Sequence, residues 1–230
     1  MILAMHDRGE AVDELMITPT GDELPDLVDH WEYVSGVIGL PLTVPSGPTL
    51  AEVIESQNAL PNFRMRFCTR MIKIVPAKAH VMRRQLEGYD VTMCVGLRAD
   101  EEERKGIIDE KVNTRFPLRE YGMGISEVWE VIKRHGVSIP ERTDCARCYH
   151  QRIGEWYRLW DKYPEIYEDA AAQEEQYGAT FRTPGRDTWS TSLRELAVEF
   201  SGGRVPKSEM ARRQLPLFED EGGVCRVCSL

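Results

Sequence analysis

The chain has 230 residues with 42% apolar and 29% charged side chains, which is long enough to bury a sizeable core as one domain or as one domain with an appendage. Its net charge of -9 argues against nucleic-acid binding by the whole surface. Nucleic acid could bind only at a local cleft lined by basic residues. No apolar stretch is long enough to span a bilayer, and the first residues lack the plan of a secretory signal. We therefore expect a cytoplasmic protein in a reducing setting, without a membrane partner.

Short apolar runs alternate with helical patterns over the first 143 residues. The predicted strands cover 12–18, 41–44 and 91–95. The predicted helices cover 1–8, 26–38, 49–56, the Arg- and Lys-rich stretch 64–84 on both sides of Pro76, and 126–135. Thr49-Leu-Ala-Glu52 matches a helix capping box. This alternation predicts an α/β fold with an open, mostly parallel sheet flanked by helices.

The pattern becomes helical after Cys148. The predicted helices there cover 151–160, 164–177 and 193–200. A turn-rich loop covers 180–190, and residues 201–223 form an arm rich in glycine, proline and charge. We therefore divide the chain into an α/β domain, residues 1–143, and a helical C-terminal extension, residues 144–230.

Two cysteine pairs have the same spacing, Cys145-Ala-Arg-Cys148 and Cys225-Arg-Val-Cys228. Two such pairs in a reducing compartment predict a four-thiolate metal site formed by Cys145, Cys148, Cys225 and Cys228. The site would tie the end of the chain to its middle. Disulfides and plain thiols stay open as alternatives.

Four other segments carry motif residues in a fixed order. They are Thr18-Pro-Thr-Gly-Asp-Glu23, Arg66-Phe-Cys-Thr-Arg-Met-Ile-Lys73, Gly96-Leu-Arg-Ala-Asp-Glu101 with Arg104, and Pro117-Leu-Arg-Glu-Tyr-Gly122. Together with Cys145 and Cys148, this set resembles the phosphoadenosine phosphosulfate (PAPS) reductase-like family of the adenine nucleotide α-hydrolase group. The resemblance covers roughly residues 1–160.

The resemblance implies an adenine nucleotide or a sulfonucleotide as the ligand, bound where parallel strands end. The predicted nucleotide-binding residues are Thr20, Gly21, Asp22, Glu23, Arg66, Lys73, Gly96 and Arg98. Arg66, Lys73 and Arg98 would hold phosphate or sulfate groups. Asp22 or Glu23 would hold Mg²⁺ or ribose. The open alternatives are helix capping for the two carboxylates, a surface ion pair for Arg98, and a solvated helix face for the other two cations.

The family's phosphate loop, S-G-G-x-D-S, has no counterpart before the first predicted strand. Ser201-Gly-Gly-Arg204 is a coincidence, because it follows a helix instead of a strand. We expect the fold to lack the family's first strand and this loop. Three interpretations stay open: a longer protein, a loop supplied by another chain, or lost nucleotide chemistry. Since the missing strand is central in the family's sheet, we expect a neighbouring strand, a partner chain or a second copy to fill its place.

The resemblance implies either sulfo-group reduction or adenylation and sulfur transfer at the nucleotide α-phosphate; no catalytic residue is assigned. The alternative is an inactive, metal-held accessory or binding subunit. Family reductases attack with a cysteine in a C-terminal E-C-G-x-H tail, whereas the thiols of this tail are paired, so Cys228 fits a metal ligand better than a nucleophile. The chain also lacks the adjacent cysteines of the iron–sulfur reductases, which favours zinc over a [4Fe–4S] cluster. Cys68 either faces the nucleotide cleft or packs in the core.

Overall fold

Helices are the main regular secondary structure in the computed structural model, which describes residues 1–106 and 109–212. The α-helices are α1 (Ile2–His6), α2 (Pro25–Ile38), α3 (Leu50–Gln57), α4 (Val75–Leu86), α5 (Pro117–Glu120), α6 (Ile125–Arg134), α7 (Ile153–Lys162), α8 (Pro164–Tyr177), α9 (Leu193–Ser201) and α10 (Lys207–Arg212). A π-helix, Thr69–Ile74, runs directly into α4. None of the helices in these two ranges is both long and apolar enough to cross a membrane.

Helix boundaries follow local signals in the sequence. α2 begins at Pro25, where proline loses no helical hydrogen bond, and ends at Gly39 with a φ of 76°. α3 begins with the predicted capping box, in which the Glu52 carboxylate accepts the Thr49 backbone N–H at 2.7 Å. In return, the Thr49 hydroxyl accepts the Glu52 backbone N–H at 3.3 Å. The predictions of both helices are confirmed to within one residue.

Four short strands in the described part of the chain form two separate parallel pairs. β1 (Leu15–Met16) pairs with β2 (Leu42–Thr43), and β3 (Thr92–Cys94) pairs with β4 (Asn113–Arg115). The predicted α/β class is confirmed at this coarse level. The expected single open sheet is not seen in the described ranges, since no ladder there joins the two pairs. α2 provides the crossover that a parallel β1–β2 pair requires.

Buried apolar side chains form two clusters. The larger combines residues from the first half of the chain, including Leu24, Val53, Ile54 and Ile72, with later ones, including Tyr149, Trp156, Phe181 and Leu196. The smaller consists of Leu3, Ala4, Leu118, Met123, Val131 and Val137. The larger cluster therefore draws on both sides of the predicted boundary at 143/144, and the two-domain division itself stays a prediction.

Candidate functional site

The acidic turn, Thr20–Glu23, is locked by its own hydrogen bonds. The Glu23 carboxylate accepts the backbone N–H and the hydroxyl of Thr20, both at 2.7 Å, and the Gly21 N–H at 2.9 Å. Gly21 has a φ of 75°, and a Cβ at this position would lie 3.3 Å from the Thr49 methyl group, so glycine is strongly favoured here. The Leu50 N–H donates to the Thr20 carbonyl at 2.7 Å. The turn is thereby fixed to the start of α3, and the Glu23 carboxylate stabilises the turn.

Asp22 joins the acidic turn to the first cysteine pair, 125 residues further along the chain. Its carboxylate accepts the Arg147 backbone N–H at 3.0 Å and the Arg147 Nε–H at 2.6 Å, and forms an ion pair with the Arg147 guanidinium. Its carbonyl accepts the Ala146 N–H at 2.6 Å. Burial raises the pKa of Asp22, although Arg147 opposes this rise. Asp22 and Glu23 thus have partners within the chain, and neither caps a helix; the predicted roles with Mg²⁺ or ribose stay predictions.

Cys145 and Cys148 are both buried, and both are free thiols in contact with each other. The hydrogen bond from Cys148 lowers the pKa of Cys145, and the Lys73 charge and the Thr20 hydroxyl act in the same direction. The same sulfur–sulfur hydrogen bond, together with burial, raises the pKa of Cys148. The two thiols are therefore chemically distinct, and Cys145 is the one favoured as a thiolate.

The π-helix brings a third thiol and a cation to this pair. Cys68, directly before it, and Lys73, within it, line one small cavity with Thr20, Cys145 and Cys148. The cavity measures about 10 Å³, which is space for about one water molecule. π-helical turns occur frequently at functional sites. The structure therefore brings three predicted elements together: the acidic turn, the Arg66–Lys73 segment and the first cysteine pair.

The loop after Cys148 is held by Arg186, which no sequence motif indicated. Arg186 donates to the carbonyls of Gln151, His150 and Tyr149 at 2.9, 3.3 and 3.4 Å. Arg66 lies beside the Tyr149 hydroxyl, and burial raises the pKa of Tyr149 to about 12. Arg186 was missed because it lies in a turn-rich loop 35 residues from Gln151, and no local pattern links the two.

A larger groove of about 410 Å³ lies on the other side of the acidic turn, where β1 and β2 end. Its lining includes Trp31, Val28, Leu42, Val44, Glu23 and Glu32. Val28 and Val44 are partly exposed, 38% and 55%. This volume lies within the usual range for small-molecule sites, whereas the thiol cavity is far too small for a nucleotide.

Gly96 and Arg98 lie apart from the thiol cavity. A Cβ at Gly96 would lie 3.5 Å from Met1. The Arg98 guanidinium pairs with Asp100 at 2.8 Å and with Glu101 at 3.5 Å. In the described ranges, neither Gly96 nor Arg98 lines the thiol cavity or the groove. Arg98 thus forms an ion pair, which was one of the two alternatives for it from the sequence. It does not line the cavity that Lys73 lines.

The predicted metal site is described only in part. Cys225 and Cys228 lie outside the described residues. Among residues 1–106 and 109–212, no group of three or more His, Cys, Asp or Glu side chains is placed to hold a metal ion. Cys145 and Cys148 supply two adjacent sulfur atoms, which is half of a closed zinc site. The described donors therefore do not by themselves fit a zinc ion or an iron–sulfur cluster.

Comparison of this chain with protein-family models, with curated proteins and with solved structures found no match.

Proposed function

We propose that this chain is a PAPS reductase-like protein that binds an adenine nucleotide or a sulfonucleotide and reduces the sulfo group. One observation carries the proposal: motif segments far apart in sequence meet at one place. The acidic turn contacts the Cys145–Cys148 loop through Asp22, and Lys73 lies at the same thiols. The two parallel strand pairs would be the halves of an adenine nucleotide α-hydrolase-type sheet, with ligands at the strand ends.

The buried thiols favour sulfo-group reduction over chemistry at the α-phosphate. Reduction of a sulfo group consumes two electrons, and a pair of adjacent thiols can supply two electrons by forming a disulfide. Adenylation needs positioned cations instead and makes no use of thiols. Cys145, Cys148 and Lys73 line one cavity, which supports this proposal because it places two thiols beside a cation that could attract a sulfo group.

The nucleotide would occupy the groove, because the thiol cavity has no room for it. Trp31 offers an aromatic face for the adenine, and Glu32 offers an acceptor for ribose hydroxyls. The acidic lining repels phosphate, so the sulfo end would point away from Glu32 toward Lys73. Since the acidic turn lies between the groove and the thiols, the hydrogen bonds that hold the turn would have to open for the sulfo group to reach Cys145.

Nucleotide binding to the anaerobically purified full chain tests this proposal. Titration calorimetry with 3′-phosphoadenosine 5′-phosphosulfate, ATP and adenosine should give measurable affinity for the nucleotides. Trp31→Ala should lower the affinity for all three compounds by about tenfold, because the stacking on adenine is lost. Tyr33→Ala, at an exposed position of the same helix, should leave these affinities unchanged. Lys73→Met should lower the affinity for the sulfonucleotide more than the affinity for adenosine. Lys78→Met is the control and should change neither affinity. If the wild-type chain binds no nucleotide, the proposal is wrong.

A second candidate is a metal-held accessory subunit without catalysis. The internal partners of Asp22 and Glu23 and the small size of the thiol cavity favour it. Cys145 and Cys148, with Cys225 and Cys228, would then hold zinc, or alternatively a [4Fe–4S] cluster. Elemental analysis and an absorbance spectrum separate these possibilities. One zinc per chain, no visible absorption and no nucleotide affinity would support the accessory role, whereas a brown protein would indicate a cluster.

A further inference from the structure

We propose that Cys145 and Cys148 form a redox pair that closes to a reversible intramolecular disulfide by exchange with an external disulfide. The two thiols already contact each other as free cysteines. A Cys-x-x-Cys spacing on a turn lets two sulfur atoms reach bonding distance without separating the chain segments that carry them. This proposal does not depend on nucleotide binding.

The backbone around the pair is held on both sides, so the two cysteines stay together whether or not a bond joins them. Before the second cysteine, Ala146 and Arg147 donate to Asp22. After it, the Gln151 N–H donates to the Cys148 carbonyl at 3.0 Å, and its side-chain amide donates to the Ala146 carbonyl. Such a loop changes little on oxidation, because sulfur–sulfur bond formation replaces a contact that is already present.

The described surroundings of the two sulfur atoms are compatible with a redox pair. The described part of the chain places no third metal-binding side chain around these two sulfur atoms in a coordinating arrangement. Cys68 lines the same cavity, yet it lies on a different element and is not a member of the spacing motif. Lys73 lines the same cavity, and a nearby cation is a feature that accompanies reactive thiols.

The exchange has two steps, and its electrons balance. One thiolate of the pair attacks a sulfur of the external disulfide R–S–S–R, forms a mixed disulfide and releases one RS⁻. The second thiolate then attacks the protein sulfur of that mixed disulfide, closes the Cys145–Cys148 bond and releases the other RS⁻. The pair loses two electrons, the external disulfide gains them, and the two thiol protons pass through solvent to the released thiolates.

Both sulfur atoms are buried, and the cavity has space for about one water molecule, so an external disulfide reaches them only when the cavity opens locally. Thr20, Leu50, Pro61 and Tyr149 cover the cavity. We therefore expect slow exchange with small disulfides, whereas exposed thiols would react fast.

Tryptic mapping of the full chain tests the redox pair directly. The reduced protein is equilibrated in mixtures of oxidised and reduced dithiothreitol, alkylated and digested. Because trypsin cleaves after Arg142, Arg147 and Arg152, the disulfide appears as peptides 143–147 and 148–152 joined together, with two alkylatable thiols lost per chain. Oxidised glutathione added to the Cys148→Ser variant should give a mixed disulfide at Cys145, and Cys94→Ser should behave as wild type.

Three results would overturn the redox pair. The joined peptides could fail to form at any mixture that oxidises the reagent pool. Cys145 or Cys148 could instead be joined to Cys68, Cys225 or Cys228. A metal bound at one per chain could block alkylation of both thiols until a chelator removes it. Since no nucleotide is present, none of these results depends on the proposed function.

Discussion

At the scale of single residues, the ion pair between Asp22 and Arg147 determines how the site is built. Asp22 is 7% exposed, and its carboxylate accepts hydrogen bonds from both the backbone and the side chain of Arg147. Charges so deeply buried are tolerated only when each has a partner. The pair therefore fixes the cysteine loop to the acidic turn, and removal of one partner should cost more than removal of both.

Arg147→Met leaves the Asp22 carboxylate buried without its cation. We expect the free energy of unfolding to fall by about 3 kcal/mol, measured by urea denaturation at pH 7. The double variant with Asp22→Asn should recover part of this loss, because no buried charge remains. Arg194→Met, which removes a cation paired with Glu168 and Glu175 on the surface, is the control and should change little. If the loss of the double variant equals the sum of the losses of the Arg147→Met and Asp22→Asn single variants, the two side chains are not coupled.

Sequence reasoning found several site residues because their patterns are local. Thr20, Lys73 and Cys145 each belong to a short motif, and the three line one cavity. It did not find the partner of Asp22 or the anchoring role of Arg186, because both depend on contacts between distant segments. The sequence allows either a cleft or a core role for Cys68. In the structure, it lines the thiol cavity and also packs in the larger core.

At the scale of elements, helix bounds were predictable, whereas for strands only the place was. Three of the four described strands lie inside the longer runs predicted at 12–18, 41–44 and 91–95. Helix ends depend on neighbouring residues such as caps and glycines, so α2, α3 and α8 lie close to their predicted bounds. A strand depends on a partner elsewhere in the chain, and the strands here have only two or three residues. β4, Asn113–Arg115, is polar and carries no apolar alternation, so nothing in its own sequence predicts it.

The cap of α3 matters to the site because Leu50, the first residue of this helix, donates its N–H to the Thr20 carbonyl. Thr49→Ala removes the capping hydroxyl, and we expect a loss of about 1 kcal/mol in the free energy of unfolding. Ser56→Ala is the matched control, since the Ser56 hydroxyl donates only to a carbonyl of its own helix, that of Val53. Urea denaturation of both variants measures the difference. If the two substitutions cost the same, the cap does not contribute specifically.

Glu174 on α8 makes the stability depend on pH. Its carboxylate accepts the backbone N–H groups of Phe181 at 2.8 Å and Leu193 at 2.7 Å, which joins α8 to the start of α9. Burial raises the pKa of Glu174 to about 7, from an ordinary value of 4.5, despite these two N–H groups. A raised pKa means that the protonated form is favoured by folding. This contribution is complete below about pH 4.5 and is lost as the pH rises through about 7.

Glu174→Gln removes this titration. From pH 5 to pH 8, we expect the wild type to lose about 2 kcal/mol of unfolding free energy relative to this variant. Urea denaturation of both proteins at both pH values measures this change. Glu165→Gln, at an exposed position of the same helix, should leave the pH dependence of the wild type unchanged. A constant difference across this range would show that Glu174 does not titrate there in the folded state.

At the scale of the whole molecule, one core extends across the predicted domain boundary. Leu50, Val53 and Ile54 of α3 belong to the same cluster as Trp156 and Leu196. A fragment of residues 1–143 would therefore expose the apolar face that α3 buries. We expect this fragment to show no cooperative urea transition by circular dichroism. A cooperative transition near the midpoint of the full chain would show that the first 143 residues fold alone.

A fragment of residues 1–212 separates the contribution of the core from that of a metal held by the tail. It retains both apolar clusters and every hydrogen bond found on the cysteine loop, but it lacks Cys225 and Cys228. If those contacts hold the loop, the fragment keeps the urea midpoint of the full chain and still forms the Cys145–Cys148 disulfide. A lower midpoint together with the loss of bound zinc would contradict this, because a four-thiolate site contributes folding energy that vanishes with its ligands.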